Sequence, residues 1–232
     1  MDNLKEKQIE VPEEKAGETI LPFEKMGEYF IETLDVKRKP MYSFIKRGFD
    51  IVSSGIGMVV LALPMLAIAI AVKTTSKGTV FYTQDRLGLN GKVIKVIKFR
   101  SMKMNAEADG AQWSKGDDDP RITKIGSVLR KTRLDELPQL WCIFKGDLSV
   151  VGPRPERECF YKEFETYIHG FSERLKVKPG LTGLAQVNGG YDLKPEEKIV
   201  YDVEYIKTRS LLKDLKIIFK TVAVVFSHDG AK

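Results

Sequence analysis

From Ile51 to Val72 the chain runs for 22 residues without a charge, bounded by Asp50 and Lys73. Coiled as a helix, such a run is about 33 Å long, against a bilayer hydrocarbon core of roughly 30 Å. Length and lack of charge place this segment in a membrane, with the rest of the protein working at that membrane's surface. Lys46 and Arg47 precede it and Lys73 and Lys77 follow it, so the positive-inside rule draws both ends to the same, cytoplasmic side. Pro64, near the middle, removes one backbone hydrogen bond and obstructs another. Together these favour a kinked helix that enters and leaves on one face, with a kinked single span as the alternative. Ser53 and Ser54 are candidates for satisfying the carbonyls that Pro64 frees.

Charge divides the remainder. Residues 1 to 36 hold ten Asp/Glu and four Lys, and since the whole chain is at +6, residues 37 to 232 carry +12. A surface this basic attracts nucleic acid, anionic lipid or phosphorylated small molecules, and beside an apolar segment the last two are favoured. Cys142 and Cys159 lack metal-ligand spacing and only His169 and His228 accompany them, so a zinc site is not expected and both thiols read as reduced and structural. No cleavable signal peptide is visible, because an acidic leader precedes the first apolar run. The leader's first 20 or so residues have a disordered composition. Phe23, Met26, Phe30 and Leu34 then fall at helical spacing, which predicts a short amphipathic helix against the membrane or the body.

Beyond the apolar segment, residues 79 to 82 and 93 to 99 read as strands of a hairpin, with Asn90-Gly91 in the turn. Lys98 and Arg100, two apart, are expected on one strand face, a cationic pair suited to phosphate, or else solvated edge charges. The acidic run Asp117-Asp118-Asp119 before Pro120 is either a metal site or a turn. Residues 122 to 132 read as a short basic helix. In the next segment Leu134, Leu137, Trp141 and Phe144 form a helical apolar stripe, and Pro138 fits only a first turn. Asp135 and Glu136 are thus expected at a helix N-terminus, where free amides favour anions; an ordinary Asp cap is the plainer reading. Arg154 lies between Pro153 and Pro155, which leaves it little backbone freedom. Residues 178 to 190 form a glycine-punctuated loop with a short strand inside it. Two helices close the chain, 195 to 208 and 210 to 226, the second basic and amphipathic and suited to a membrane interface or to packing on the core.

Taken in order, Lys98-Phe99-Arg100-Ser101-Met102, Asp119-Pro120-Arg121-Ile122-Thr123, Leu134-Asp135-Glu136-Leu137-Pro138-Gln139, Gly152-Pro153-Arg154-Pro155 and Pro179-Gly180-Leu181-Thr182-Gly183 resemble the motifs of the bacterial sugar transferase family, the small monotopic polyprenyl-phosphate phosphoglycosyl transferases. The resemblance covers roughly residues 42 to 226. It implies an α+β, predominantly helical fold with a re-entrant helix-break-helix anchor, a small β-hairpin and interfacial amphipathic helices. The matching organisation is a leader over 1–40, an anchor over 41–75, a cytoplasmic catalytic domain over 76–226 and a tail over 227–232. The activity implied is transfer of a sugar-1-phosphate from a UDP-sugar to undecaprenyl phosphate with release of UMP, opening the assembly of a capsule, exopolysaccharide or glycoconjugate at the cytoplasmic face of the bacterial inner membrane. By motif position Asp135 is the nucleophile that carries an aspartyl-phosphosugar, and Glu136 with Asp135 holds Mg²⁺. Lys98, Arg100, Arg133 and Arg154 are the substrate-binding candidates. Relatives often carry arginine where this chain has Gly190.

The chemistry is coherent on its own terms. A carboxylate attacking a diphosphate meets like charge and needs Mg²⁺ and side-chain cations to screen it, and a covalent intermediate divides one transfer into two easier ones. UDP-sugar, polyprenyl phosphate and membrane lipid are therefore the expected partners, nucleic acid is not, and a homo-oligomer or glycan-assembly partners stay open. Two rivals stand beside this reading. One is a glycosyltransferase that binds metal through Asp117 to Asp119 and releases UDP, and the other is a non-catalytic membrane scaffold. No residue selects the sugar.

Overall fold

The computed structural model describes residues 23–25, 27–107, 119–189 and 193–227. The chain is α+β and mostly helical, with eight α-helices and seven short strands among the described residues. The apolar segment folds as two helices, α1 (Pro40–Val60) and α2 (Ala62–Thr75), bent by 62° at Leu61. Pro64 lies in the first turn of α2, where its missing N–H leaves the ladder broken and its ring crowds the carbonyl four residues back. Among the described residues no single helix is long and apolar enough to cross a membrane, whereas the bent pair qualifies by length and composition. Ser53 and Ser54 do not serve the Pro64 break as expected. They bond one turn back, Ser53 to the Phe49 carbonyl at 2.7 Å and Ser54 to that of Asp50 at 2.5 Å, because a helical hydroxyl reaches only the i−3 and i−4 carbonyls.

Strands β3 (Phe81–Leu87) and β4 (Val93–Phe99) form the expected antiparallel hairpin, in register from Phe81↔Phe99 to Leu87↔Val93. Asn90 and Gly91 both take positive φ, 56° and 75°, which is what closing this turn demands of the backbone. After the helix α3 (Lys124–Lys131) a 3₁₀ turn (Leu134–Glu136) leads into α4 (Gln139–Lys145) and the strand β5 (Ser149–Val151). Then come α5 (Glu158–Phe164), β6 (Ile168–His169), a second 3₁₀ turn (Phe171–Lys176), β7 (Gly180–Thr182) and α6 (Leu184–Val187). Finally α7 (Pro195–Thr208) and α8 (Leu211–Ser227) match the two helices read from the sequence. Strands β5 and β7 pair in parallel, Ser149↔Gly180 and Val151↔Thr182. The main core gathers Val151, Phe164, Phe171, Ile199, Ile206 and Ile217, from β5, α5, the second 3₁₀ turn, α7 and α8.

Near the N-terminus the structure departs from the expected amphipathic helix. Residues Phe23–Lys25 (β1) and Glu28–Phe30 (β2) are antiparallel strands, and β2 also pairs in parallel with β6. Gly27 turns the chain at φ +81°, and the Tyr29 and Ile31 amides donate to Tyr167 and His169 at 2.7 and 2.8 Å. Those long-range partners outcompete the local helix that the apolar spacing allowed. Leu34 is buried in the main core, so this part of the leader belongs to the body. Residues 1–22, Met26, Asp117, Asp118, Gly190, His228 and the tail from 228 lie outside the described residues.

Both ends of the bent pair are tied to that one body. Asp50, buried despite its charge, accepts from the Val150 amide at 2.9 Å and Ser149 Oγ at 3.1 Å, pinning α1 to β5. Arg47 donates to the Ile143 and Phe144 carbonyls, both at 2.7 Å, closing the C-terminus of α4. At the far end, Arg100 donates to the Lys77 and Ser76 carbonyls and to Ser76 Oγ, fastening the exit of α2.

Candidate active site

Asp135 and Glu136 sit in the 3₁₀ turn that precedes α4, with Pro138 as that helix's N-cap. The expected placement at an α-helix N-terminus is thus off by one short element. Arg133 enters the turn in the left-handed region, φ 56° and ψ 16°, a conformation that costs a side-chain-bearing residue about 1 kcal/mol or more and is held here by its surroundings. Both carboxylates are buried, 7% and 8% exposed, and Asp135 lines a cavity of about 610 Å³.

Two sequence-distant segments converge on the Glu136 carboxylate. From the end of β4, Lys98 Nζ donates to Oε1 at 2.6 Å, and Arg154 Nη2 reaches the same oxygen at 2.5 Å, with Nη1 3.5 Å from Oε2. Burial by itself raises the Glu136 carboxyl, but Arg154 and Lys98 more than offset this and hold it well below the usual carboxylate range. Its neighbour behaves oppositely. Burial pushes Asp135 up to about 6, against the pull of Lys98, Arg130 and Arg154 and with the Glu136 charge adding to the rise. The two adjacent carboxylates therefore differ in role. Glu136 is a fixed anion that organises cations, and Asp135 faces the cavity with no side-chain hydrogen bond from the described residues.

All four predicted substrate contacts, Lys98, Arg100, Arg133 and Arg154, line this cavity beside Asp135. Arg100 differs from Lys98 in its partners: the residue is 4% exposed, and its guanidinium donates to Ser76 and Lys77 at the exit of α2. It lies one residue past the end of β4, where strand alternation no longer fixes a side chain's direction. Asp119 is also spoken for, since Arg121 donates to its Oδ1 at 2.8 Å and its Oδ2 at 2.5 Å. That leaves it unsuited to the metal role once open to the acidic run. Sequence reading missed Arg86, Arg130, Arg157, Arg174, Gln186 and Lys198, all on the cavity wall. Except for Arg130, within the basic helix, and Gln186, within the glycine loop, nothing in the local pattern marks them.

The donor set fits one hard divalent cation. Mg²⁺ takes one or two protein carboxylates and completes its shell with water and substrate phosphate, and no group of three or more His, Cys, Asp or Glu occurs among the described residues. Glu136 Oε1 is taken by Lys98 and Arg154, but Oε2 has only the long Arg154 contact. It and the Asp135 carboxylate are the groups that would hold such an ion.

Comparison with known proteins bears on the same residues. The family model described as bacterial sugar transferase matches residues 41–228. A UDP-N-acetylgalactosamine-undecaprenyl-phosphate N-acetylgalactosaminephosphotransferase of Aeromonas hydrophila is 42% identical over 196 residues, covering 83% of this chain and 46% of that one. A UDP-glucose:undecaprenyl-phosphate glucose-1-phosphate transferase of Klebsiella pneumoniae is 46% identical over 191 residues, covering 80% and 41%. The exopolysaccharide production protein ExoY of Sinorhizobium fredii is 38% identical over 207 residues, covering 83% and 90%. The chain thus spans less than half the length of the first two relatives and nearly all of the third.

Proposed function

The chain belongs to the bacterial sugar transferase family, and from that membership we propose that it transfers a sugar-1-phosphate from a UDP-sugar to undecaprenyl phosphate, releasing UMP, at the cytoplasmic face of the bacterial inner membrane. The observation that carries this reading is the placement of Asp135 on a cation-lined cavity, next to a Glu136 already paired with Lys98 and Arg154. The relatives' names, which give UDP-sugars as donors and undecaprenyl phosphate as acceptor, support the substrate classes.

In the first half-reaction an Asp135 oxygen attacks the phosphorus that bears the sugar. A new P–O bond forms to Asp135, and the bond to the bridging oxygen breaks with its electron pair leaving on UMP. Lys98 and Arg154 stabilise the charge that gathers on the leaving phosphate. Asp135 and Glu136 would hold Mg²⁺, which would supply further charge neutralisation. In the second half-reaction an oxygen of undecaprenyl phosphate attacks the same phosphorus and Asp135 departs as a carboxylate. Each half breaks and makes one P–O bond, so no further reactant is needed.

The acceptor is a membrane lipid, and the surface is suited to meeting it there. Phe44, Val59 and Leu63 on the bent pair and Phe219 on α8 are 73–79% exposed, a density of large apolar side chains that a bilayer interior would cover. With α1 fastened through Arg47 and Asp50 and α2 through Arg100 to one body, the anchor is read as re-entrant.

The test is to incubate the purified protein with labelled UDP-sugars and Mg²⁺ without lipid. Label retained on Asp135, absent in Asp135→Asn, and UMP as the nucleotide product support the reading. Release of UDP, or full turnover by Asp135→Asn, sinks it. For the anchor, an outer-face thiol reagent is expected to label a cysteine at neither terminus; labelling of one end alone indicates a single span.

A further inference from the structure

The segment Gly152-Pro153-Arg154-Pro155 poses a hydrogen-bonding problem. Two of its residues lack an N–H, so it cannot continue the β5–β7 ladder, yet its backbone is buried and its carbonyls need donors. From Pro153 to Glu156 the structure meets each one. The Gly180 amide donates to Pro153 at 2.9 Å and the Leu87 amide to Glu156 at 3.0 Å. The two carbonyls between them take side chains, Arg174 Nη2 to Arg154 at 2.9 Å and Arg86 Nη1 to Pro155 at 2.6 Å.

Arg174 is costly to keep where it is. It is 2% exposed, lies with its guanidinium 4.9 Å from the Phe171 ring centre, and leaves Nε and Nη1 without partners. Its counter-ion is Asp202, equally buried, at 2.6 Å. The second pair of this cluster, Arg86 and Glu156, is in contact at 3.1 Å. Core stability does not require such a pair, because apolar residues of similar volume serve as well or better. What an apolar residue cannot do is donate to the Arg154 carbonyl.

Resting on the transferase reading above, we propose that Arg174, held by Asp202, is a positioning residue that fixes the Arg154 backbone and thereby keeps the Arg154 guanidinium on Glu136 and at the donor phosphate. It touches neither substrate nor metal; it acts through Arg154.

The variant Arg174→Met/Asp202→Leu removes both buried charges together, so the fold is not left with one unpaired. It is compared with Arg154→Met and with the triple combination, each verified by its melting temperature. UMP release and the affinity for UDP, the latter by calorimetry, are the two readouts. The expected result is a fall in kcat of at least about tenfold in the double variant, a displacement of catalytic groups being costly. Weaker UDP binding accompanies it, and the triple variant is no worse than Arg154→Met in either readout. Wild-type kcat and UDP affinity in a folded double variant, or losses that add up in the triple, overturn the proposal. Because UDP binding is read without turnover, a wild type that binds UDP but releases no UMP counts against the transferase reading, while the binding cycle still decides whether Arg174 works through Arg154.

Discussion

Arg154 Nη2 lies 2.5 Å from Glu136 Oε1, on the oxygen that also takes Lys98. The side chain that closes this ion pair comes from a proline-flanked segment 18 residues further along the chain. Replacing Arg154 by Lys keeps the charge but loses the two-pronged approach to the carboxylate. We expect kcat to fall by about 10²-fold, comparable to losing one preorganised donor to a developing anion, with a melting temperature near wild type. A Lys variant of wild-type rate would show that only net charge is needed.

The raised Asp135 carboxyl gives a signed pH dependence. Its folded value is about 6 against an ordinary 3.8. Below about pH 4 it is protonated folded or unfolded and its favourable contribution is fully present; as pH rises through 6 the folded chain has to ionise a buried group and that contribution is lost. In metal-free buffer Asp135→Asn is therefore expected to melt with wild type near pH 4 and above it at pH 7.5, by about 2 to 3 kcal/mol. Wild-type turnover, which needs the anion, is expected to drop about tenfold per unit below pH 6. Equal melting of the two proteins at pH 7.5 would contradict the burial argument.

The Asp50 pin is open to the same kind of measurement. Asp50→Ala strips the Val150 amide and Ser149 hydroxyl of their acceptor, at about 1–3 kcal/mol. Asp50→Asn retains a carbonyl oxygen and is expected to cost about half of that, the bond no longer being charge-assisted. Melting in detergent micelles reads both. Activity is expected to fall with Asp50→Ala, since β5 runs directly into the Arg154 segment.

Gly180 and Gly152 face each other where β5 and β7 meet. A Cβ on Gly180 would lie 2.1 Å from the Gly152 nitrogen, and one on Gly152 would lie 2.4 Å from the Lys178 carbonyl oxygen. Both obstacles are backbone and cannot swing aside. Either Ala variant is expected to lose about 3 kcal/mol, at the upper end of overpacking costs, and to lose UMP release by displacing Arg154. Urea unfolding of detergent-solubilised protein measures the first effect. A variant within about 0.5 kcal/mol of wild type, the size seen for neutral surface changes, would refute the close approach.

Much of the local structure was legible because its cause is local. Asn90-Gly91 turned the hairpin where such a pair must, and α7 and α8 appeared within a residue of their expected bounds. Asp135, Glu136, Lys98 and Arg154 were nominated by motif; Asp135, Lys98 and Arg154 line one cavity, and Glu136 is paired with the two cations. Failures arose where a distant partner decided. The leader's helical spacing gave way to pairing with β6, and Arg100, although on the cavity wall, has its guanidinium bonded to the carbonyls at the end of α2.

The sequence by itself determined that an uncharged, proline-broken segment requires a hydrophobic environment, that residues 37 to 232 are strongly basic, and which family the chain belongs to, because composition, backbone propensity and motif order are properties of the chain alone. Only the tertiary structure decided which cations meet which carboxylates. Glu136 became the fixed anion and Asp135 the group pushed up toward neutrality, although the two are adjacent and chemically alike. Arg174, in an unremarkable stretch of 3₁₀ turn, came to lie beneath Arg154. A charge's partners, and hence its energy, are set by the surroundings at its final position, and those are assembled from segments that no local pattern brings together.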